Sequence, residues 1–325
     1  MIHIVNMDHV AKLRFTLELA HAVVGAERSG LLRRLSSVAD TTDGHAEALG
    51  LSPRGTGKLL RVLADAGFAL RDGERYGASD ALVELGRRTP HGLSGVTRVW
   101  GHLPTYLQTG EPMMQADGDV TERQRVYSDV VGALGRMFAP SAERLAMALA
   151  PLAPRTLLDV GAGSGVWSLA VARIVEELRV TAQDLPAVLD AFRSRAAQLG
   201  LEDRVATVAR SFHDEPLGEG RYDLVLLAGV IHLEPPASAS ALIARAARAV
   251  SPAGRLVVVD SIGGEGADAL ARSLYALNLA LRTRRGAPHG RGALVGWLDE
   301  AGAVTVDDVD LPAPGLGALV ATMSG

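Results

Sequence analysis

No cysteine occurs in the 325 residues, which excludes disulfides, thiolate metal sites and cysteine nucleophiles together. Aromatic residues make up only 4% of a chain that is 48% hydrophobic. Ala, Leu and Val therefore carry the apolar content, as expected of packed helices and parallel strands in a soluble globular protein. Long apolar runs are also missing. No uncharged stretch approaches the length that spans a bilayer, and Met1 to Asp8 show no basic region leading into an apolar run and cleavage site, so the expected location is cytoplasmic. A formal net charge of -4 gives no broad attraction to nucleic acid or an anionic membrane. His, Asp and Glu do not cluster at metal-ligand spacing, which predicts a metal-independent site. Neither a Gly-x-x-x-x-Gly-Lys phosphate loop nor a Gly-x-Ser-x-Gly elbow is present, against nucleotide hydrolysis and hydrolase chemistry.

The length predicts two domains. Apolar residues at Val10, Leu13, Leu17, Ala20 and Val24 fall at helical spacing. Ala46 to Pro53, then Lys58 to Gly67, read as a helix-turn-helix with Gly67 as the stop. Phe68 to Gly77 read as a hairpin turning at Asp72-Gly73, so residues 1–90 form a winged helix. Such a unit can read DNA. Residues 1–90 carry twelve Lys and Arg against eleven Asp and Glu, a balance of +1 that favours packing or homodimerisation over DNA binding. Residues 91–150 are helical but interrupted by Pro104, Gly110-Glu-Pro112 and Gly118. From Pro151 to the end, strand-length apolar runs (Thr156–Val160, Val180–Ala182, Leu224–Leu227, Leu256–Val259, and weaker ones near Val304–Val309 and Ala318–Met323) alternate with helical segments. The fold class is therefore α/β, a doubly wound parallel sheet over 151–325 behind an α-helical winged-helix domain.

The first of those strands ends at Leu158-Asp159, and Gly161, Gly163 and Gly165 follow before a helix expected near Trp167. Glycines there let the backbone turn and approach a ligand at a helix N-terminus. Without a ligand, the same glycines make a tight turn and nothing more. Two acids argue for a ligand: Asp159 can accept from an ammonium group, and Asp184, 21 residues after Gly163, can accept from ribose hydroxyls. A nicotinamide dinucleotide fingerprint wants glycine at its sixth position, where this chain has Val166. The cradle favours S-adenosylmethionine.

The stretches Leu158-Asp-Val-Gly-Ala-Gly-Ser-Gly165, Asp184-Leu-Pro186, Ser211-Phe-His-Asp214, Tyr222-Asp-Leu-Val-Leu-Leu, Val230-Ile-His232 and Ala253-Gly-Arg-Leu-Val-Val-Val-Asp260 resemble the small-molecule S-adenosylmethionine-dependent O-methyltransferases of plant phenolic and bacterial natural-product pathways. The resemblance runs over nearly the whole chain and implies a class I methyltransferase Rossmann-like domain joined to a winged-helix dimerisation domain. It implies that Asp159, Gly161 and Gly163, with Gly165, hold the methionine part of the cofactor. Asp184 and Leu185 would hold the ribose, and Ser211 and Phe212 the adenine. His232 falls on the family's general base and Asp260 on the acid that orients it. The family commonly has aspartate where this chain has Ser211. It also has aspartate and tryptophan after the histidine, where Leu233 and Glu234 stand here, and a second acid beside the histidine that the stretch Gly286 to Gly292 does not supply. His232 could instead simply cap a strand end.

The acceptor pocket is expected among the helices of Pro90 to Ala150 and the Gly263 to Gly292 region, with Trp100, Tyr106, Met137 and Leu279 along it. Core or interface packing explains such residues equally well. Met137 and Phe138 could wall off the cofactor's sulfur. His289 lies among Arg282, Arg284, Arg285 and Arg291, where it could meet an acidic substrate or belong to a solvated surface. Three readings remain. The first is an O-methyltransferase of a small aromatic secondary metabolite, working as a homodimer. The second keeps the cofactor and changes the chemistry, and the third is a ligand-sensing winged-helix regulator.

Overall fold

A computed structural model describes residues 8–89, 92–214, 217, 222–262, 269–313 and 315–324. Residues 1–7 of the N-terminal stretch, Pro90, and 263–268 of the expected acceptor region lie outside the described residues. The chain divides into two compact units, Met1–Gly101 and His102–Gly325.

The first unit contains α1 (His9–Arg28), α2 (Leu31–Ser37), β1 (Asp40–Thr41), α3 (Thr42–Leu49), α4 (Pro53–Asp65), β2 (Ala69–Asp72), β3 (Arg75–Ala78), α5 (Asp80–Arg88) and α6 (Gly92–Gly101). Thr41 and Ser52 cap α3 and α4 by accepting from backbone N–H groups two positions into each helix. Beyond α4, Gly67 takes φ +81° and the Phe68 N–H returns to the Leu63 carbonyl at 2.7 Å, the left-handed stop expected there. The hairpin pairs Asp72 with Arg75, so its loop is Gly73-Glu74, one residue beyond the expected Asp72-Gly73. Helix-turn-helix plus hairpin make the winged helix, with Val23, Leu31, Leu35, Leu60 and Leu63 at its centre. At the other end of α1, Val10, Leu13 and Leu17 are 78%, 72% and 55% exposed.

The second unit contains α7 (Leu103–Thr109), α8 (Val120–Leu149), β4 (Thr156–Val160), α9 (Val166–Ile174), β5 (Arg179–Asp184), α10 (Pro186–Gln198), β6 (Val205–Ala209), β7 (Tyr222–Ala228), α11 (Pro236–Arg248), β8 (Val250–Asp260), α12 (Ala269–Ala280), α13 (Arg291–Glu300), β9 (Ala303–Asp310) and β10 (Gly317–Met323). Among the described residues seven strands form one sheet, ordered β6-β5-β4-β7-β8-β10-β9. The first five run parallel, whereas β10 is antiparallel to both β8 and β9. The all-parallel expectation holds up to β8. The stretch between β9 and β10 is too short for the crossover that parallel pairing requires. Alternate residues face opposite sides. Leu157, Val180, Leu224 and Val257 pack with α8, α9 and α10, while Leu158, Val225, Leu256 and Val258 pack with α11 and α13. Helices thus cover both faces, which makes the sheet doubly wound. No described helix is long and apolar enough to cross a membrane.

Candidate active site

In a doubly wound sheet, ligands sit outside the carboxyl ends of the parallel strands. Asp159 is the penultimate residue of β4, and Asp184 and Asp260 end β5 and β8. The glycine loop follows β4 with φ of +72°, +57° and +68° at Gly161, Gly163 and Gly165. A Cβ on Gly161 would lie 2.4 Å from Val230 Cγ1, and one on Gly165 would lie 2.5 Å from Phe192. Packing alone therefore demands glycine at both positions. The loop's amides are engaged as well. Gly161 and Ala162 N–H donate to the Gln183 carbonyl at 2.8 and 3.2 Å, and Gly163 N–H donates to Asp184 Oδ2 at 2.8 Å. Leu185 N–H donates to the other Asp184 oxygen at 2.7 Å.

Helix α8 lies across this loop along one stripe. Tyr127 and Val131 pack with Leu185 and Val188, a Cβ on Gly135 would meet Ser164 Oγ at 2.5 Å, and Phe138 meets Trp167 at 5.9 Å between ring centres. Arg123, on the same stripe, lies over the Phe212 ring at 5.4 Å. The stripe positions are three or four residues apart, as one face of a helix requires.

S-adenosylmethionine fits these groups. Burial pushes the Asp159 carboxyl up to about 7, against the hydroxyl it accepts from Ser168 at 2.5 Å. No described Lys, Arg or His pairs with it, so an ammonium group would complete it. Burial raises Asp184 too, opposed by the N–H groups of Gly163 and Leu185 and by the charge of Arg123. At Ser211, the backbone carbonyl accepts from Gln183 Nε2 at 3.0 Å and Oγ accepts from the His213 N–H at 3.2 Å.

The second half of the site is built on β7 and β8. After Gly229 (φ +70°) a single turn, Ile231–Leu233, buries Ile231 and Leu233 and leaves His232 between them. His232 Nδ1 is 2.8 Å from Asp260 Oδ1, and its backbone N–H donates to Asp260 Oδ2 at 3.0 Å. Ser261 N–H adds a third bond to that carboxylate at 2.7 Å. Burial opposes ionisation of Asp260, but the charge and hydrogen bonds of His232 with the two N–H groups outweigh it and hold the carboxyl below its ordinary range. An ionised Asp260 draws a proton on Nδ1 toward itself, so in the neutral imidazole Nε2 is the acceptor. The Tyr275 ring stands edge-on to the imidazole at 6.1 Å. Burial raises the phenols of both Tyr275 and Tyr127, keeping them neutral.

The Gly286 to Gly292 stretch supports His232 through its backbone: Ala287 N–H donates to the His232 carbonyl at 2.9 Å. His289 is buried, with Nε2 3.0 Å from the Glu234 carbonyl and its ring 5.0 Å from Trp297. It belongs to the scaffold. Asp117, also buried, accepts from the N–H groups of Arg284 and Arg285 at 2.8 and 2.6 Å and so pins this segment to the residues before α8.

The structure joins His232 to Asp260, the pair that the family resemblance implied, and it joins Asp184 to Gly163 and Leu185 by hydrogen bonds that the sequence did not foretell. Tyr106 and Met137 are half-buried and Leu279 is fully buried, and none makes a side-chain hydrogen bond or ring contact with the His232–Asp260 pair. Trp100 is the penultimate residue of α6, in the first unit. Arg123, Tyr127 and Tyr275 escaped the sequence reading. The one available signal was the spacing of Arg123, Tyr127 and Val131 by four, which ordinary core packing also produces.

A profile of the family described as O-methyltransferase domain matches residues 109–293. The tetracenomycin polyketide synthesis 8-O-methyl transferase TcmO of Streptomyces glaucescens is 27% identical and covers 96% of each chain. Aclacinomycin 10-hydroxylase RdmB of Streptomyces purpurascens is 31% identical over 81% of this chain and 72% of its own. Human N-acetylserotonin methyltransferase, solved with S-adenosylmethionine, superposes with a TM-score of 0.78 at 19% identity, covering 99% of each chain. With the profile spanning over half its length, the chain belongs to the O-methyltransferase domain family and is an S-adenosylmethionine-dependent methyltransferase.

Proposed function

We propose that this protein methylates a hydroxyl group on a small aromatic secondary metabolite, with His232 as general base and Asp260 as its orienting acid. The observation that carries the proposal is the 2.8 Å contact between His232 Nδ1 and Asp260 Oδ1, which leaves Nε2 as the acceptor. S-adenosylmethionine supplies an electrophilic methyl group. His232 Nε2 takes the hydroxyl proton as the oxygen attacks, and the Asp260 carboxylate stabilises the imidazolium that results. The rest is alignment, which the rigid strand ends provide.

Asp159, Gly161, Gly163 and Gly165 would border the methionine part of the cofactor, Asp184 and Leu185 its ribose, and Ser211 and Phe212 its adenine. Trp100, Tyr106, Met137 and Leu279 would line the acceptor pocket. Residues 1–90 would serve as the dimerisation domain, 91–150 as part of the acceptor pocket and 151–325 as the cofactor domain of a cytoplasmic homodimer. The exposed Val10, Leu13 and Leu17 support the dimer, since a second copy would cover them. A one-chain mass by light scattering would remove that part. A secondary-metabolite acceptor is supported by the polyketide in the name of the Streptomyces glaucescens relative.

Incubation with S-adenosylmethionine and a panel of phenols should yield S-adenosylhomocysteine and a methyl ether, and His232→Ala should be at least about 100-fold slower. Turnover of His232→Ala at the parent rate would remove the base assignment. One observation favours a second reading, in which the same site runs non-methylating chemistry: the relative named as a hydroxylase is 31% identical. A product without the added methyl group, and with the cofactor unchanged, would select it.

A further inference from the structure

Arg123 is a cation to which the described residues give no hydrogen-bonded partner. It is 8% exposed, and its side chain makes no ion pair or hydrogen bond among the described residues. Its Nε is wholly enclosed and unpartnered. It also stands at the end of the first turn of α8, where the helix dipole disfavours positive charge. Burying a guanidinium with its N–H donors unsatisfied is costly, and the fold tolerates it. The contact with the Phe212 ring accounts for where the guanidinium sits but satisfies none of its five N–H donors. Asp184 lies close enough for the charge of Arg123 to favour its ionised form, whereas Asp159 feels no such influence. The unpartnered donors therefore belong to the Asp184–Phe212 side of the site and not to the Asp159 side.

That side lacks something else. Position 211 holds serine, whose hydroxyl already accepts from the His213 N–H, so no carboxylate is offered there to an adenine amine. The ring nitrogens of adenine and the ribose oxygens are acceptors, and a guanidinium is a matching donor.

We propose that Arg123 is a cofactor-binding residue that clamps the adenosine half of S-adenosylmethionine, stacking on Phe212 and donating hydrogen bonds beside Asp184. This inference rests on the cofactor assignment above. It gives the buried cation its missing partner and supplies from α8 the recognition that position 211 does not.

The test compares the parent with Arg123→Met, which keeps the apolar stem, and Arg123→Lys, which keeps the charge but loses the planar fork. Calorimetry uses S-adenosylhomocysteine and its fragment 5′-methylthioadenosine, alongside thermal melting of the ligand-free proteins. Arg123→Met should bind both compounds roughly 10- to 100-fold more weakly, with Arg123→Lys between it and the parent. Ligand-free Arg123→Met should melt no lower than the parent, because an unpaired charge has gone. Parent-like affinity in Arg123→Met, with or without a lower melting temperature, would overturn the clamp and leave the arginine a packing role. So would a loss confined to S-adenosylhomocysteine, which would place the contact on the methionine carboxylate. A parent protein that binds neither compound is a different result, and would instead sink the cofactor assignment.

Discussion

Asp159 and Asp260 stand at corresponding places, at the carboxyl ends of β4 and β8, and both are buried. Burial pushes both carboxyls upward, yet they end on opposite sides of their ordinary value. Asp159 reaches about 7 with only the Ser168 hydroxyl to oppose the rise. Asp260 falls below its usual range because His232, met at both ring and backbone, and the Ser261 N–H stabilise its charge. Depth in the fold is common to the two, so partners decide. In the proposed assignment the base end is complete within the chain, whereas the cofactor end would be completed by an ammonium group, and Arg123 would repeat that pattern with the opposite sign.

The strongest way to break this contrast is to remove Asp260. Asp260→Ala would strand the His232 and Ser261 N–H groups and release the imidazole, so kcat should fall by about 10²- to 10⁴-fold. Stability should drop by about 3 kcal/mol. Because Asp260 is lowered in the folded state, its stabilising contribution is present above the ordinary carboxylate pKa and disappears as pH falls through the folded value. Asp260→Asn should lose most of kcat while melting closer to the parent. If Asp260→Asn turned over normally, the base end would not depend on that charge, and the two acids would not differ in kind.

Asp159 should behave in the reverse sense. Its folded carboxyl is raised from 3.8 to about 7, so the ligand-free fold binds an extra proton between those values. Stability declines as pH rises through that window and levels off above pH 7. The penalty at high pH is at most about 4 kcal/mol, and Asp159→Asn should relieve part of it. An ammonium ligand needs the ionised form. Binding of S-adenosylhomocysteine should therefore weaken as pH falls below 7, by up to about tenfold per pH unit. In Asp159→Asn it should be weaker throughout and flat with pH across this range. Calorimetry across pH 5 to 8 reads both. A parent affinity independent of pH would mean that Asp159 already has its counter-ion, and would remove the contrast.

Asp159 was legible because it closes an apolar run of strand length that leads into glycines, whereas Asp260, at the end of a similar run, was singled out by the family resemblance. Elsewhere the pattern carried less. Strand β6 (Val205–Ala209) escaped notice because it is a half-exposed edge with small residues alternating along it. The reversal of β10 rests on spatial order, which local patterning does not encode. Breaks at Pro104, Gly110 and Gly118 were readable, and α7 and α8 are bounded by them. What could not be read was that α8 would lie across the strand ends and make Arg123 a buried cation, since the same spacing describes a helix packed anywhere. The loop amides illustrate the converse: the glycines marked the cradle, but Gln183 and Asp184 already use its N–H groups.

The smallest expected effect sharpens the comparison at the base end. Tyr275 stands edge-on to His232, and burial keeps its phenol neutral, a donor that the mechanism above does not require. If Asp260 alone sets the proton affinity of the imidazole, Tyr275→Phe should leave kcat within about threefold and raise the KM of a phenolic acceptor only a few-fold, the cost of one lost neutral hydrogen bond. A pH profile of kcat unchanged between parent and variant would confirm that the phenol positions the acceptor without tuning the base. A fall in kcat of about 100-fold at unchanged KM would show instead that the tyrosine takes part in moving the proton. The base end would then be a three-residue relay, and the pairing of one histidine with one acid would no longer describe it.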